Sequence, residues 1–271
     1  MKAYYNENDP YAAQWLRNLI AAGLLPAGDV DDRSIEDVRA GDLAGYRQQH
    51  FFAGIGGWPL ALKLAGWGDQ PVWTGSCPCQ PFSVAGKKRG TADRRHLWPV
   101  WRELIHAVKP DTVFGEQVTG PTALDWYDNV ASDLEEWGYE TAAAILPACS
   151  VGAPHRRGRL FFVAHAASGK SGWIQQSGLE PDARAGCEAL ANTNGNRGQA
   201  KQKLALQERH ASLDKCSGGN GAGEFWAVEP SIRRLVDGFP GRMVKLRALG
   251  NAIVPQLAAE FVKAFMDFKR K

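Results

Sequence analysis

The chain has 271 residues, 44% of them hydrophobic, so it can bury a full-sized core and disorder is not the default expectation. No apolar run approaches the ~18 residues that span a bilayer, and the first residues show no charged-then-apolar leader, so we expect a soluble, cytoplasmic protein without a membrane partner. The net charge is only +3, and residues 1–50 hold five Lys/Arg against eight Asp/Glu, so a surface for a polyanion is expected after residue 50.

Strand and helix patterns alternate through the first 163 residues. After a short opening strand, apolar residues at helical spacing predict a helix over residues 11–22, and Gly23 ends it. Residues 46–52 predict a strand that leads through a Gly-rich turn into another apolar helix. Further strands are predicted at residues 71–74, 111–118 and 159–164, with a helix at 97–108.

The composition changes between residues 164 and 225, where Gly, Ser, Asn, Gln and Lys replace most large apolar residues. Such a segment builds little core by itself and is open to partial disorder. A final amphipathic helix closes the chain. The alternation of strands and helices predicts an α/β fold with a doubly wound, mostly parallel sheet. We expect one domain from residues 1–163 and 226–271, with residues 164–225 as a small insertion.

Four segments carry candidate chemistry, and each has a plainer structural interpretation. The turn FAGIGG (52–57) lets backbone amides approach a ligand, although many such turns are only tight connections. Cys79 lies on a proline-bounded loop, where a cysteine is either a rigidly held nucleophile or structural. Glu116 lies at the end of an otherwise apolar strand, where it is either an active-site acid or a capping carboxylate. The cluster HRRGR (155–159) binds phosphate or is simply solvated.

Five cysteines are an odd number in a chain without a C-x-x-C pair, which indicates neither a disulfide framework nor a zinc site. We therefore expect free thiols and no bound metal.

Six ordered segments together resemble the cytosine-C5 DNA methyltransferase family, from the N-terminus to about residue 163 and again from about residue 226. The correspondences are Phe52, Gly54 and Gly56 with the motif FxGxG; Pro78, Cys79 and Gln80 with PCQ; residues 86–98 with a basic helix opening; Glu116, Gln117 and Val118 with ENV; His155 to Arg159 with QRRxR; and Gly250 to Pro255 with GNxxxP.

The resemblance implies a Rossmann-like sheet that binds S-adenosylmethionine (SAM) and double-stranded DNA, in a protein that we expect to be monomeric. Cys79 would attack cytosine C6, Glu116 would hold and protonate the N3 side, and Arg159 would contact O2. Arg157 would support the loop or bind a phosphate. The residues implied to bind SAM are Phe52, Ala53, Gly54, Gly56, Gly57, Glu7, Asn8, Asp29, Val30, Pro78, Asn251 and Ala252.

The target cytosine must leave the duplex, and basic residues after the cysteine loop are the candidates that hold the DNA. The residues implied to bind DNA are Ser83, Lys87, Lys88, Arg89, Arg94 and Arg95. Residues 164–225 occupy the position of the target-recognition region, which either reads a short site or orders on DNA; the site itself is not readable from the sequence.

One departure from the family order is informative. Only about 20 residues separate FAGIGG from PCQ, too few for the acidic and adenine-side motifs that normally lie between them. Residues 4–14, with Glu7 as ribose ligand, and residues 28–30 resemble these motifs instead. The chain is therefore predicted to be permuted, with its second and third strand units placed before the first. Asp29 is preferred over Asp37 for the adenine role because Gly28 precedes it.

Other functions remain open on the sequence. The same chemistry on RNA is the nearest alternative, and a catalytically inactive SAM- or DNA-binding module is another, although it would not need Cys79, Glu116 and Arg159 together. A different cysteine enzyme would need an orienting histidine that no spacing identifies. The compact, permuted form favours a phage or prophage protein that protects DNA from restriction.

Overall fold

The computed structural model describes residues 2–78, 97–120, 122–166, 191–192 and 248–270. Among these residues, no helix is long and apolar enough to cross a membrane.

The N-terminal half follows the predicted alternation closely. Its elements are β1 (Ala3–Asn6), α1 (Pro10–Ala21), β2 (Gly28–Asp31), β3 (Gln48–Phe51), α2 (Gly57–Ala65) and β4 (Val72–Gly75). Helix α1 begins where it does because the Asp9 carboxylate accepts hydrogen bonds from the amides of Tyr11 and Ala12, with Pro10 at the first helical position. Helix α2 ends at Gly66, whose φ of 76° suits glycine.

The second half contains three elements that the sequence patterns did not predict, α4, β6 and the two-residue strand β8. Its elements are α3 (Trp98–Val108), β5 (Thr112–Val118), α4 (Ala123–Glu136), β6 (Tyr139–Leu146), β7 (Arg159–Ala166), β8 (Ala191–Asn192) and α5 (Pro255–Lys269). Strand β7 continues three residues past the predicted domain boundary, and β8 pairs with β6. Five residues of the predicted insertion therefore belong to the sheet.

The strands of the described residues form one sheet in the order β2-β1-β3-β4-β5-β7-β6-β8. The first five strands in this order are parallel, and β7 runs antiparallel between β5 and β6. Doubly wound nucleotide-binding sheets begin with the spatial order 3-2-1-4-5. This sheet has that order when β3 counts as the first strand, β1 as the second and β2 as the third. The strand order is therefore the one that the predicted permutation requires.

Helices cover both faces of the sheet, so the doubly wound prediction is confirmed. On one face α2 and α5 pack on Phe114, Phe161 and Val163. On the other face α3 and α4 pack on Phe51, Trp73 and Phe162. The alternation of Phe161 and Phe162 between the two cores follows from the two-residue period of a strand. Burial on both faces explains the continuous apolar run of β7 from Leu160 to Ala164.

Candidate active site

The candidate residues gather at the edge of the sheet where the parallel strands end. Asn6, Phe51 and Gly75 are the last residues of β1, β3 and β4 and lie in register side by side. Because β7 is antiparallel, its first residue, Arg159, lies opposite Val118 at the end of β5. Residues from distant parts of the chain therefore meet at one edge, which is where open α/β sheets bind their ligands.

The Gly-rich turn after β3 has two glycines with different surroundings. A Cβ on Gly56 (φ 86°) would lie 2.6 Å from a Leu25 methyl, so this glycine is required by packing. A Cβ on Gly54 (φ 54°) would meet no atom of the described residues within 4 Å, so the turn leaves room for a ligand there as far as those residues extend. Phe52 also has a positive φ, of 50°, and its ring meets the edge of Trp101 at 6.1 Å between centroids. Ala53 beside it is buried.

Glu7, the first residue after β1, contacts this turn directly. One carboxylate oxygen accepts a hydrogen bond from the Gly54 amide at 2.7 Å, and the other accepts from the Asp9 amide at 2.9 Å. The structure thus brings together the permuted acidic segment and the Gly-rich turn, 47 residues apart in the sequence. Asn8 is exposed beside them.

The structure does not bring Asp29 to this edge. Asp29 lies in register with Tyr4, two residues before the end of β2, and pairs with Lys2 and the Tyr46 hydroxyl. Val30 follows it, half-buried within the strand, and Asp37 is exposed in a short 3-10 helix. The sequence preference for Asp29 is therefore not supported by its position.

Asp31 is the acid that ends β2, and the sequence reasoning missed it. It accepts hydrogen bonds from the Tyr4 hydroxyl at 2.7 Å and from Arg33 at 2.6 Å. Burial acts against its charge, but these hydrogen bonds lower the pKa of Asp31 to about 2. Because ligands bind at the carboxyl ends of strands in open α/β sheets, an acid that is the last residue of a strand is the signal that could have identified Asp31.

Buried Glu116 and half-buried Arg159 form an ion pair on neighbouring strands. Arg159 Nε lies 2.8 Å from Glu116 Oε1, and Glu116 is 6% exposed. Burial raises the pKa of Glu116, while the Arg159 guanidinium opposes this shift. A carboxyl group with a raised pKa, held at a ligand-binding edge, is suited to carrying a proton to or from a bound molecule.

Arg157 connects this pair to the segment before α5. Its guanidinium donates to the carbonyl oxygens of Gly250 at 2.5 Å and Ala252 at 2.7 Å. Asn251, exposed between these two carbonyls, is thereby held at the same edge. A Cβ on Gly57 would lie 2.6 Å from Ile253, so this segment also packs against the start of α2. These contacts favour support of the loop over phosphate binding as the role of Arg157.

The chain leading to the predicted nucleophile is tied to the same strands. Gln117 Nε2 donates to the Cys77 carbonyl at 2.9 Å, next to half-buried Pro78. Cys79 itself, together with the predicted DNA contacts, lies outside the described residues. Those predicted contacts are Ser83, Lys87, Lys88, Arg89, Arg94 and Arg95.

The family profile described as C-5 cytosine-specific DNA methylase matches residues 69–215, just over half of the chain. Among curated relatives, the Type II methyltransferase M.AplI of Arthrospira platensis is 32% identical over 96 residues, which cover 35% of this chain and 28% of the relative. M.NaeI of Lentzea aerocolonigenes is 36% identical over 33% of this chain and 22% of its own length.

M.HhaI of Haemophilus parahaemolyticus is 25% identical over 47% of this chain and 51% of the relative. The chain thus spans between about a fifth and half of the length of these relatives. In fold, it is similar to a crystal structure of a triple mutant of Spodoptera frugiperda DNMT2, with a TM-score of 0.51 and 12% identity, covering 96% of this chain and 90% of that one. The chain belongs to the C-5 cytosine-specific DNA methylase family.

Proposed function

We propose that this protein is a SAM-dependent DNA (cytosine-5)-methyltransferase that modifies a flipped cytosine in a specific DNA sequence through a covalent bond to Cys79. The observation that carries the proposal is the Glu116–Arg159 ion pair, at the edge that also holds Glu7 and the Gly-rich turn. Family membership supplies the reaction class.

The described residues fit SAM at this edge. The open position beside Gly54 allows close approach to the backbone, and Glu7 is fixed by two amides at the end of β1. A carboxylate accepts up to about four hydrogen bonds, so Glu7 can also accept from ribose hydroxyls. Asn251 and Ala252, held by Arg157, would complete the site from the other side. When bound, SAM supplies the methyl group as an electrophile.

Cys79 would activate the target base. Cytosine C5 is a poor nucleophile, and addition of a thiolate to C6 places electron density on C5, which can then take the methyl group. A base then removes the C5 proton, and the electron pair of that bond expels the Cys79 sulfur from C6. The loop that carries Cys79 is anchored at its start by the Gln117 contact to the Cys77 carbonyl.

Glu116 and Arg159 would hold the base during this addition. As sulfur adds to C6, negative charge develops on N3 and O2 of the ring. Glu116, with its raised pKa, can donate a proton or hydrogen bond to N3. Arg159 carries five N–H donors, of which Nε contacts Glu116 and Nη1 contacts the Gly158 carbonyl, and its fork can also reach O2.

The direct test is incubation of the purified protein with tritiated SAM and a duplex library that contains every cytosine context, followed by bisulfite sequencing. We expect methylation confined to one short sequence. A duplex with 5-fluorocytosine at that site should trap a covalent adduct, because fluorine at C5 cannot leave as a proton. Cys79→Ala should abolish both the transfer and the adduct while SAM still binds.

The matched control is Cys149→Ala, because Cys149 is an exposed cysteine that follows β6 near the same sheet edge but has no role in the proposed reaction, and it should leave transfer and adduct intact. Transfer to tRNA but not to DNA would assign the activity to RNA instead. SAM binding without transfer to either nucleic acid would make the protein a binding module and contradict the proposal.

A further inference from the structure

We infer that Ser76 is a positioning residue for Glu116 and that Trp58 fixes the direction of the Ser76 hydroxyl. The consequence for turnover rests on the proposed function, whereas the contacts themselves rest on the described residues. Three elements meet here, because Trp58 lies on α2, Ser76 directly follows β4 and Glu116 lies on β5.

The Trp58 indole is held rigidly by its surroundings. It is 2% exposed and lies between Phe114 and Phe161, each at 6.1 Å between ring centroids. From this position its Nε1 donates a hydrogen bond to Ser76 Oγ at 3.2 Å. A side chain packed among aromatic rings has little freedom to turn away, so the donor stays aimed at Ser76.

The direction of the chain of hydrogen bonds follows from the chemistry of the groups. An indole N–H donates and never accepts, whereas a serine hydroxyl does both. Gly75 pairs with Gly115, so the next residues along the two strands, Ser76 and Glu116, lie side by side. The Ser76 oxygen accepts from Trp58, so its own hydrogen is directed to the Glu116 carboxylate, which it stabilises. Glu116 is therefore held by two donors, Ser76 and Arg159 Nε.

Both donors, together with the nearby charge of Arg157, stabilise the ionised form of Glu116 against the cost of burial. Loss of the Ser76 hydroxyl removes one of them and leaves the burial unchanged. The pKa of Glu116 should then rise further. If protonated Glu116 is the form that acts on N3, turnover falls as pH rises through this pKa, and the fall should move to higher pH in Ser76→Ala.

The experiment compares the wild-type protein with Ser76→Ala, Ser76→Thr and Trp58→Phe. In each, the Glu116 carboxyl is titrated by infrared difference spectroscopy without DNA or SAM, and Glu116→Gln identifies its band. We expect the midpoint to rise by about one pH unit in Ser76→Ala, from the loss of a hydrogen bond to a charged group. Trp58→Phe should shift it by less in the same direction, and Ser76→Thr, which keeps the hydroxyl, should restore it.

The pH dependence of kcat for DNA methylation provides the second measurement. Its high-pH limb should move with the infrared midpoint in the same order of variants. An unchanged midpoint and limb in both Ser76→Ala and Trp58→Phe would overturn the inference, even if kcat fell. Failure of the wild type to methylate would contradict the proposed function instead, and the infrared titration would still decide the role of Ser76.

Discussion

At the scale of single residues, Glu7 joins the two parts of the chain that the permutation separates. Glu7 directly follows β1, and its carboxylate accepts a hydrogen bond from the amide of Gly54 on the turn after β3. One side chain thus fixes the turn and offers oxygens to a ligand at the same edge. Because the carboxylate is charged and hydrogen-bonded to two backbone amides, its removal also leaves those amides without this partner.

Glu7→Ala should weaken SAM binding by about 1–3 kcal/mol, since it removes hydrogen bonds to a charged group. Isothermal titration calorimetry without DNA measures this loss. The matched control is Asp32→Ala, because Asp32 is another acid of the same N-terminal unit that pairs on the surface with Arg17. Equal affinities for Glu7→Ala and the wild type would contradict the ribose site at this position.

Asp31 and Ser76 were not identified from the sequence, because their positions depend on contacts between elements that are distant in the chain. The sequence places Asp29 and Asp31 two positions apart, so both lie on the same face of β2, and only the register with β1 shows which one ends at the ligand edge. The Ser76 contacts require the neighbouring positions of α2, β4 and β5, which no local pattern contains. Cys79, Glu116 and Arg159 were identifiable because each lies within a contiguous motif.

At the scale of elements, the turn between β3 and α2 contains two glycines, Gly54 and Gly56, that serve different purposes. Gly56→Ala places a methyl against Leu25 and forces a positive φ on alanine, at a cost of about 1–2 kcal/mol from the backbone alone. Gly54→Ala has a similar backbone cost, but its methyl meets no atom within 4 Å in the part of the chain that the structure describes. The free energy of unfolding, measured with urea, should therefore fall more for Gly56→Ala.

SAM binding should show the opposite order. The methyl of Gly54→Ala enters the space where a ligand would approach. This variant should therefore lose more SAM affinity than Gly56→Ala, although its free energy of unfolding falls less. If Gly56→Ala loses more affinity while Gly54→Ala binds normally, the open side of the turn is not a ligand site.

Strand β6 and helix α4 escaped prediction for different reasons. Strand β6 contains three consecutive alanines, which favour helices, but its eight residues all pair with β7. Tertiary pairing therefore overrides local preference. Helix α4 has its buried residues at helical spacing, including Trp126, Val130 and Leu134, but several acidic residues dilute that pattern. The Gly-rich and proline-marked elements were predictable because their turn residues are distinctive.

At the scale of the whole molecule, the centre of the sheet contains a histidine that opposes folding in acid. His50 is fully buried, with Nδ1 2.8 Å from Thr74 Oγ1 and its ring stacked on Tyr5. Burial lowers the pKa of His50 from 6.5 to about 3. Between these values the unfolded chain binds a proton that the folded chain does not, so stability is complete above pH 6.5 and is lost as pH falls towards 3.

Replacement of His50 by glutamine should reduce this pH dependence. The wild type should lose up to about 1.4 kcal/mol of unfolding free energy per pH unit below pH 6.5 from this one group. In His50→Gln the side-chain amide would keep a polar partner for Thr74 without titrating. Urea unfolding at pH 7 and pH 5 should give a smaller difference for the variant, and identical differences would show that His50 does not contribute.

The contact between Phe52 and Trp101 should make the intrinsic tryptophan fluorescence of the protein sensitive to ligand binding. Trp101 is fully buried, its Nε1 has no hydrogen-bond partner within the described part of the chain, and its ring meets Phe52 on the Gly-rich turn. Indole emission depends on the groups around the ring, so a ligand that shifts Phe52 should change the intrinsic fluorescence. SAM titration should give a saturable signal that is reduced in Trp101→Phe, which would allow binding to be followed without a label.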